Sequence, residues 1–323
     1  MRETIVMIGF TLVLSYILAF VLSLLCIKYL KGIHTRIKPE LYDVHSHKEG
    51  TPHVGGIAFL SATLIFSLIA IPLNSNVVYI LFSTVLFAIL GFLDDIAKIK
   101  TNNGDGLSSK LKLFLQLLFG LIIATVGEFQ SIVNLGLPFL YNDGILFRII
   151  RIALMTIMIA YFANAFNIAD GLDGLLASIT LPIFVLIFLI VLSAPLNKPT
   201  ILLSLSMLAS LAAFLHFNRH PARYFMGDCG SMGLGVFLTT TALVLNIVPI
   251  FIIATLVFSV ELFTSLIQII SINKFDKKIF EIAPIHHAFQ KRGMNEKSIV
   301  SQFTRYSVIC SIIAFFVYSL INK

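Results

Sequence analysis

Near the middle of the chain, Asn164, Asn167, Asp170 and Asp173 recur at every third residue. That spacing makes neighbours on a helix, while Gly171 and Gly174 break the helix and let a ligand approach the backbone. Upstream, the adjacent carboxylates Asp94 and Asp95 end an apolar run, with Lys98 one turn on. Two such charges repel unless a cation or a proton offsets them, which suits a divalent metal or a general base. The negative end of a helix dipole is also a poor place for aspartate. Downstream, Asp228 stands at the mouth of a glycine-rich helix, a good place for a hard-metal carboxylate, with Phe225 available to stack on a flat ring. His286 and His287 follow Pro284 and can donate hydrogen bonds or ligate. Lys48, ahead of Gly50-Thr51-Pro52 and Gly55-Gly56, can offer an ammonium and bare N–H groups to phosphate. Each stretch alone also fits an ordinary loop or solvated helix end; their joint placement separates the two readings.

That placement is set by membrane spans. With 58% hydrophobic and 12% charged residues and a mean hydropathy of +0.97, the chain is far from the soluble balance. It reads as an all-α polytopic membrane protein, one integral-membrane domain over residues 1–323. Ten apolar runs are long enough to be spans: 5–27, 54–71, 77–93, 111–126, 149–166, 175–192, 201–217, 232–244, 250–272 and 299–321. Asn246 and Pro249 leave the eighth little room before the ninth. The first run lacks a small-residue cleavage site and is expected to remain as a helix. Of 23 Lys and Arg, eighteen fall on the side of the odd-numbered loops, including Lys110 and Lys112, which read as topology markers. The positive-inside rule therefore puts those loops in the cytoplasm and both termini outside. The net charge of +7 is explained by topology and anionic lipid, without a nucleic-acid partner. Cys26, Cys229 and Cys310 are too scattered for a disulfide framework or thiolate metal site. The outward segment 127–147 is expected to form a small hairpin. Glu261 and Gln268 lie within the ninth run, and Glu261 is expected to be protonated or hydrogen-bonded in a structural role.

All five chemical stretches then share the cytoplasmic face, where the active site of this membrane protein is expected. Carboxylates with lysines, histidines and asparagines suit a nucleoside diphosphate held by Mg²⁺, and the apolar helices beside them suit a lipid phosphate. The physical reading is phosphoryl transfer from a soluble nucleotide donor to a membrane-embedded acceptor.

Over nearly its whole length the chain resembles the polyprenyl-phosphate hexosamine-1-phosphate transferase superfamily, and within it the phospho-N-acetylmuramoyl-pentapeptide transferase branch. The resemblance rests on Lys48 with Gly50-Thr51-Pro52 and Gly55-Gly56, Gly91-Phe92-Leu93-Asp94-Asp95 with Lys98, Asn167 with Asp170-Gly171-Leu172-Asp173-Gly174, Phe225-Met226-Gly227-Asp228, and Ala283-Pro284-Ile285-His286-His287. It implies attack of undecaprenyl phosphate on the β-phosphate of UDP-MurNAc-pentapeptide, with Mg²⁺ as cofactor and a homodimer as the assembly. It implies Asp228 as the Mg²⁺ ligand, Asp94 as the leading candidate to deprotonate or position the lipid phosphate, and Asp95 and His286 as further catalytic groups. Lys48, Lys98, Asn167, Asp170, Asp173, Asn218 and Phe225 are implied on the phosphate and nucleotide side, with Gln268 and His287 near the sugar. Three positions differ from the muramoyl branch: Ala288 replaces a third histidine, His53-Val54 replaces Thr-Met, and Asn164-Ala165-Phe166-Asn167 is nearer the GlcNAc-1-phosphate branch. The alternative reading is thus a UDP-GlcNAc:undecaprenyl-phosphate GlcNAc-1-phosphate transferase. A secondary transporter is a distant third, because only Glu261 lies near the bilayer midplane.

Overall fold

The computed structural model describes residues 2–30, 50–53, 55–101, 106–140, 142–193 and 198–322. Among the described residues, twelve α-helices follow in order: α1 Arg2–Tyr29, α2 Gly56–Ala70, α3 Ser75–Lys100, α4 Ser109–Phe129, α5 Ile145–Ala169, α6 Leu175–Ser193, α7 Lys198–Asn218, α8 Gly227–Val244, α9 Val248–Ala254, α10 Leu256–Phe275, α11 Ile285–Lys291 and α12 Glu296–Ile321. Eight of them are long and apolar enough to cross a membrane; α2 and α8, shorter or less apolar, cover the second and eighth expected runs. No strand occurs among the described residues, as the polytopic helical reading requires.

The ninth run is broken rather than continuous. Thr255 joins α9 to α10, and its hydroxyl donates to the Phe251 carbonyl at 2.6 Å, a local bond that competes with regular helix geometry. Ahead of it, Asn246 turns the chain with a φ of 57° and Pro249 occupies the first turn of α9. The described residues of the expected outer hairpin, 127–147, form no strand either. Residues Pro138–Leu140 form a single 3-10 turn instead. Arg151 donates to the Leu140 carbonyl at 2.6 Å and the Asn142 carbonyl at 3.0 Å, and pairs with Glu128, so these two carbonyls are satisfied without a partner strand.

α8 is the hub of the bundle, with every residue from Gly227 to Leu243 buried. Thr239 and Thr240 are tolerable there because they donate to the carbonyls of Gly235 and Val236, both at 2.8 Å. α3 passes so close that a Cβ placed on Gly91 would lie 2.2 Å from the Asp228 carbonyl oxygen. α5 packs on the other side and is locked to α10 by the stacked rings of Phe166 and Phe258, 4.0 Å apart. These contacts bring the C-terminal ends of α3 and α5 to the N-terminal end of α8.

Candidate functional site

Where those ends meet, Asp94 and Asp95 take separate partners, because consecutive residues on a helix point about 100° apart. Asp95, 0% exposed, accepts the backbone N–H groups of Asp228 and Cys229, each at 3.0 Å, and so clamps the start of α8. Asp94 accepts the Leu107 N–H at 2.7 Å and faces Lys98 Nζ at 3.0 Å and Lys112 Nζ at 3.2 Å. Asp228 meets the same two ammonium groups, Lys98 Nζ at 2.7 Å and Lys112 Nζ in a still closer contact. Asn167 accepts from Lys112 Nζ at 3.2 Å and donates to Ser231 Oγ at 3.0 Å. Five of the expected residues, Asp94, Asp95, Lys98, Asn167 and Asp228, thus form one cluster.

Lys112 is the residue that charge counting undervalued. It sits in the first turn of α4, whose Ser108 cap accepts the Leu111 N–H. A cation at the positive end of a helix is unfavourable unless anions compensate it. That misfit was the available signal. A cavity of about 830 Å³ opens from the cluster, with Asp94, Lys98, Lys112 and Asn167 at its polar end. Leu117, Ile157, Tyr161, Leu262, Leu266 and Ile269 form its apolar wall, along α4, α5 and α10.

Asp170 follows α5 and accepts a hydrogen bond from Gly227, joining the cluster from a third side. Burial pushes its carboxyl up to about 8, with the Asp228 and Asp95 charges adding to the rise and Lys98 opposing it. The next residue, Gly171, touches His286: a Cβ there would stand 2.1 Å from His286 Nε2. His286 is fully buried, and its Nδ1 pairs with Glu261 Oε2 at 2.9 Å. Glu261 is therefore hydrogen-bonded, as expected of a carboxyl inside a span. His286 Nε2 has no hydrogen-bond partner among the described residues.

Asp173 and Asn218 belong to a second cluster, which braces three loops. The Asp173 N–H donates to Glu296 Oε1 at 2.5 Å, and its Oδ2 accepts the Ala222 N–H at 3.0 Å and faces His220 Nδ1 at 3.1 Å. Asn218 accepts the Gly174 N–H at 3.0 Å and donates to the Tyr224 carbonyl at 2.9 Å. Phe225, half-buried, meets His53 edge-on with ring centres 5.2 Å apart. Gln268 is engaged with the backbone of the loop after α10, donating to the Phe280 carbonyl at 2.8 Å and accepting the N–H groups of Ile279 and Phe280. His287 Nδ1 pairs with Gln290 Oε1 at 2.8 Å. Lys48 lies outside the described residues. Sequence reasoning did not anticipate Glu296 or His220, since no local pattern links residue 173 to residue 296.

Among the described residues, two groups have the makings of a metal site. Asp94, Asp228 and Asn167 offer only oxygen, the donor type a hard divalent cation takes, and two ammonium groups already place two positive charges among them. Asp173, His220 and Glu296 also bring ligand atoms within 4.8 Å of one another. That second group mixes an imidazole with the carboxylates, so the first is the better match to a hard divalent cation.

The comparisons with known proteins agree with one another. Residues 77–246 match the family described as Glycosyl transferase family 4. A Clostridium perfringens protein is 34% identical over 309 residues, covering 94% of this chain and 96% of its own length. One from a Wolbachia of Drosophila simulans is 32% identical over 309 residues, covering 92% and 95%. One from Clostridium acetobutylicum is 35% identical over 273 residues, covering 84% and 86%. All three carry the name phospho-N-acetylmuramoyl-pentapeptide-transferase.

Proposed function

We infer the reaction from kinship and from the groove together: this chain belongs to glycosyl transferase family 4 and is a phosphoglycosyl transferase. It transfers phospho-MurNAc-pentapeptide from UDP-MurNAc-pentapeptide to undecaprenyl phosphate, giving lipid I and UMP in peptidoglycan synthesis. The observation that carries this reading is the cavity whose apolar wall ends at Asp94, Lys98 and Lys112. An isoprenoid chain fits the wall, and its phosphate fits the two ammonium groups. A soluble substrate would not need that wall. The positive-inside count puts this end of the bundle in the cytoplasm, where the nucleotide donor is.

An oxygen of the lipid phosphate attacks the phosphorus that carries the sugar. The bond from that phosphorus to the UMP oxygen breaks, and UMP leaves with the electron pair. Lys98 and Lys112 hold the converging phosphates against their mutual repulsion. Lipid phosphate is largely ionised at neutral pH, so Asp94 acts mainly by positioning it. Asp95 holds the start of α8 and thereby aligns Asp228. Asp228, with Asp94 and Asn167 beside it, would hold Mg²⁺, which supplies charge neutralisation on the diphosphate. Asp170, Asp173, Asn218, Phe225 and Lys48 are assigned to the nucleotide side, Gln268 and His287 to the sugar side, and His286 to the catalytic set.

The test is UMP release by the purified protein in detergent with undecaprenyl phosphate and Mg²⁺, with UDP-MurNAc-pentapeptide or UDP-GlcNAc as donor. Turnover with the pentapeptide donor alone is expected. Turnover with UDP-GlcNAc alone would assign the chain to the other sugar, and turnover with neither would refute the reaction.

A further inference from the structure

A second groove, between α6 and α12, meets the residues assigned to the reaction above at Asp173 and otherwise stands apart from them. It has a volume of about 1040 Å³ and shares no lining residue with the groove that ends at Asp94. On α12 it is lined by Lys297, Ser301, Arg305, Val308, Ile312 and Phe315, spaced at three- and four-residue intervals and therefore on one helix face. The lining from α12 is mainly polar as far as Arg305, with Val300 among it, and mainly apolar beyond, with Ser311 among it. The α6 side changes in the same direction, from Ser178 to Leu181, Val185 and Leu189. The groove thus has a polar mouth and an apolar floor, the shape of a lipid site.

The charge at the mouth narrows the ligand. Arg219, Lys297 and Arg305 all line the groove and are exposed, and their side chains make no ion pair among the described residues. Asp173, which also lines the groove, and Glu296 both face His220, at 3.1 and 3.4 Å. Arg305 lies about 13 Å along α12 from its first residue, at 1.5 Å per residue. A guanidinium at that depth is costly unless it reaches water or an anion, and a phosphodiester accepts two hydrogen bonds from it in parallel.

We propose that this groove binds an anionic phospholipid, with the phosphate between Arg219, Lys297 and Arg305 and the acyl chains along the apolar half of α6 and α12. A free phosphate would leave that apolar half uncovered, and an apolar helix from a second copy of the chain would leave three cations unpaired. The bound lipid ties the first turn of α12, which carries Glu296, to the loop carrying Asp173.

Native mass spectrometry of delipidated full-length protein in neutral detergent tests this, with phosphatidylglycerol and phosphatidylcholine of identical acyl chains. Wild type should prefer phosphatidylglycerol by about tenfold or more, since each basic residue near an anionic lipid contributes about 1 kcal/mol. The preference should vanish in Arg219→Gln/Lys297→Gln/Arg305→Gln. Val308→Trp, which fills the groove and keeps its charges, should weaken both lipids. An unchanged melting temperature in lipid-free detergent would show that the variants fold. Equal binding of the two lipids to wild type would overturn the proposal, as would a preference that survives the triple substitution. Displacement of phosphatidylglycerol by millimolar inorganic phosphate, with Val308→Trp without effect, would replace the lipid with a free anion. A wild-type dimer that excludes both lipids would replace it with a second copy.

Discussion

Gly91→Ala tests whether the contact between α3 and α8 sets the geometry of the acidic cluster. The new Cβ would lie 2.2 Å from the Asp228 carbonyl oxygen, where ordinary van der Waals contact begins at 3.4 Å. The atoms it meets are backbone, with no flexible side chain to swing away. The two helices must therefore part by about 1.2 Å, the difference between those distances. Overpacking of this kind costs about 1–3 kcal/mol of stability. The larger effect falls on chemistry, because Asp94 lies one turn beyond Gly91 on α3 while Asp228 starts α8. Lys98 spans from one to the other at 3.0 and 2.7 Å. A displacement near 1 Å at a reacting geometry costs on the order of 100-fold in rate, or about 2.7 kcal/mol in the barrier. The assay is UMP release at saturating substrates, with melting temperature measured in parallel. Gly9→Ala is the control, since nothing lies within 4 Å of the Cβ it would add. Gly91→Ala activity within threefold of wild type, in a folded protein, would refute the idea that this contact fixes the site.

Lys112→Met removes one of the two ammonium groups between Asp94 and Asp228; turnover should fall by about 100-fold or more, whereas Lys110→Met should stay within a few-fold in the same assay. Chelation should abolish turnover and added Mg²⁺ restore it, and Asp228→Asn should need far more Mg²⁺ for half-maximal rate; an unchanged Mg²⁺ titration would remove Asp228 from the metal site. Gly171→Ala drives a Cβ into His286 Nε2 and should lower the rate by about 100-fold if that ring position matters, read as turnover at fixed protein folding. Asp170 is pushed up from 3.8 to about 8 in the folded protein, so its contribution to stability is present below pH 4 and is lost as pH rises towards 8. Asp170→Asn should therefore show a smaller fall in melting temperature than wild type between pH 5 and 8 in chelator.

The bracing of the site explains why parts of it were readable in advance. Asp94-Asp95, Asp170, Asp173 and Asp228 stand out because a carboxylate at the end of an apolar helix is locally expensive, and local cost is visible in a linear string. Their meeting at one end of the bundle followed from the parity of the spans, and hydropathy located the long helices, though not the break at Thr255. The residues 127–147 were misread for the opposite reason: turn-rich composition favours a hairpin, yet Arg151 of the next helix satisfies the carbonyls that a second strand would have paired.

What the sequence by itself determined was the helical membrane class, the residues at the helix ends and, through its motifs, the family. Only the tertiary structure decided how those residues divide their work. It turned Asp95 towards the α8 backbone and Asp94 towards the groove, although they are adjacent in the chain. It brought Lys112 to Asp228, Asp173 to Glu296 and His286 to Glu261, and it committed Gln268 to the Ile279–Phe280 backbone. The physical reason is range. Hydropathy and helix-end energetics act over a few residues, whereas the partner of a buried polar group is set by which helices approach, and that depends on the packing of the whole bundle.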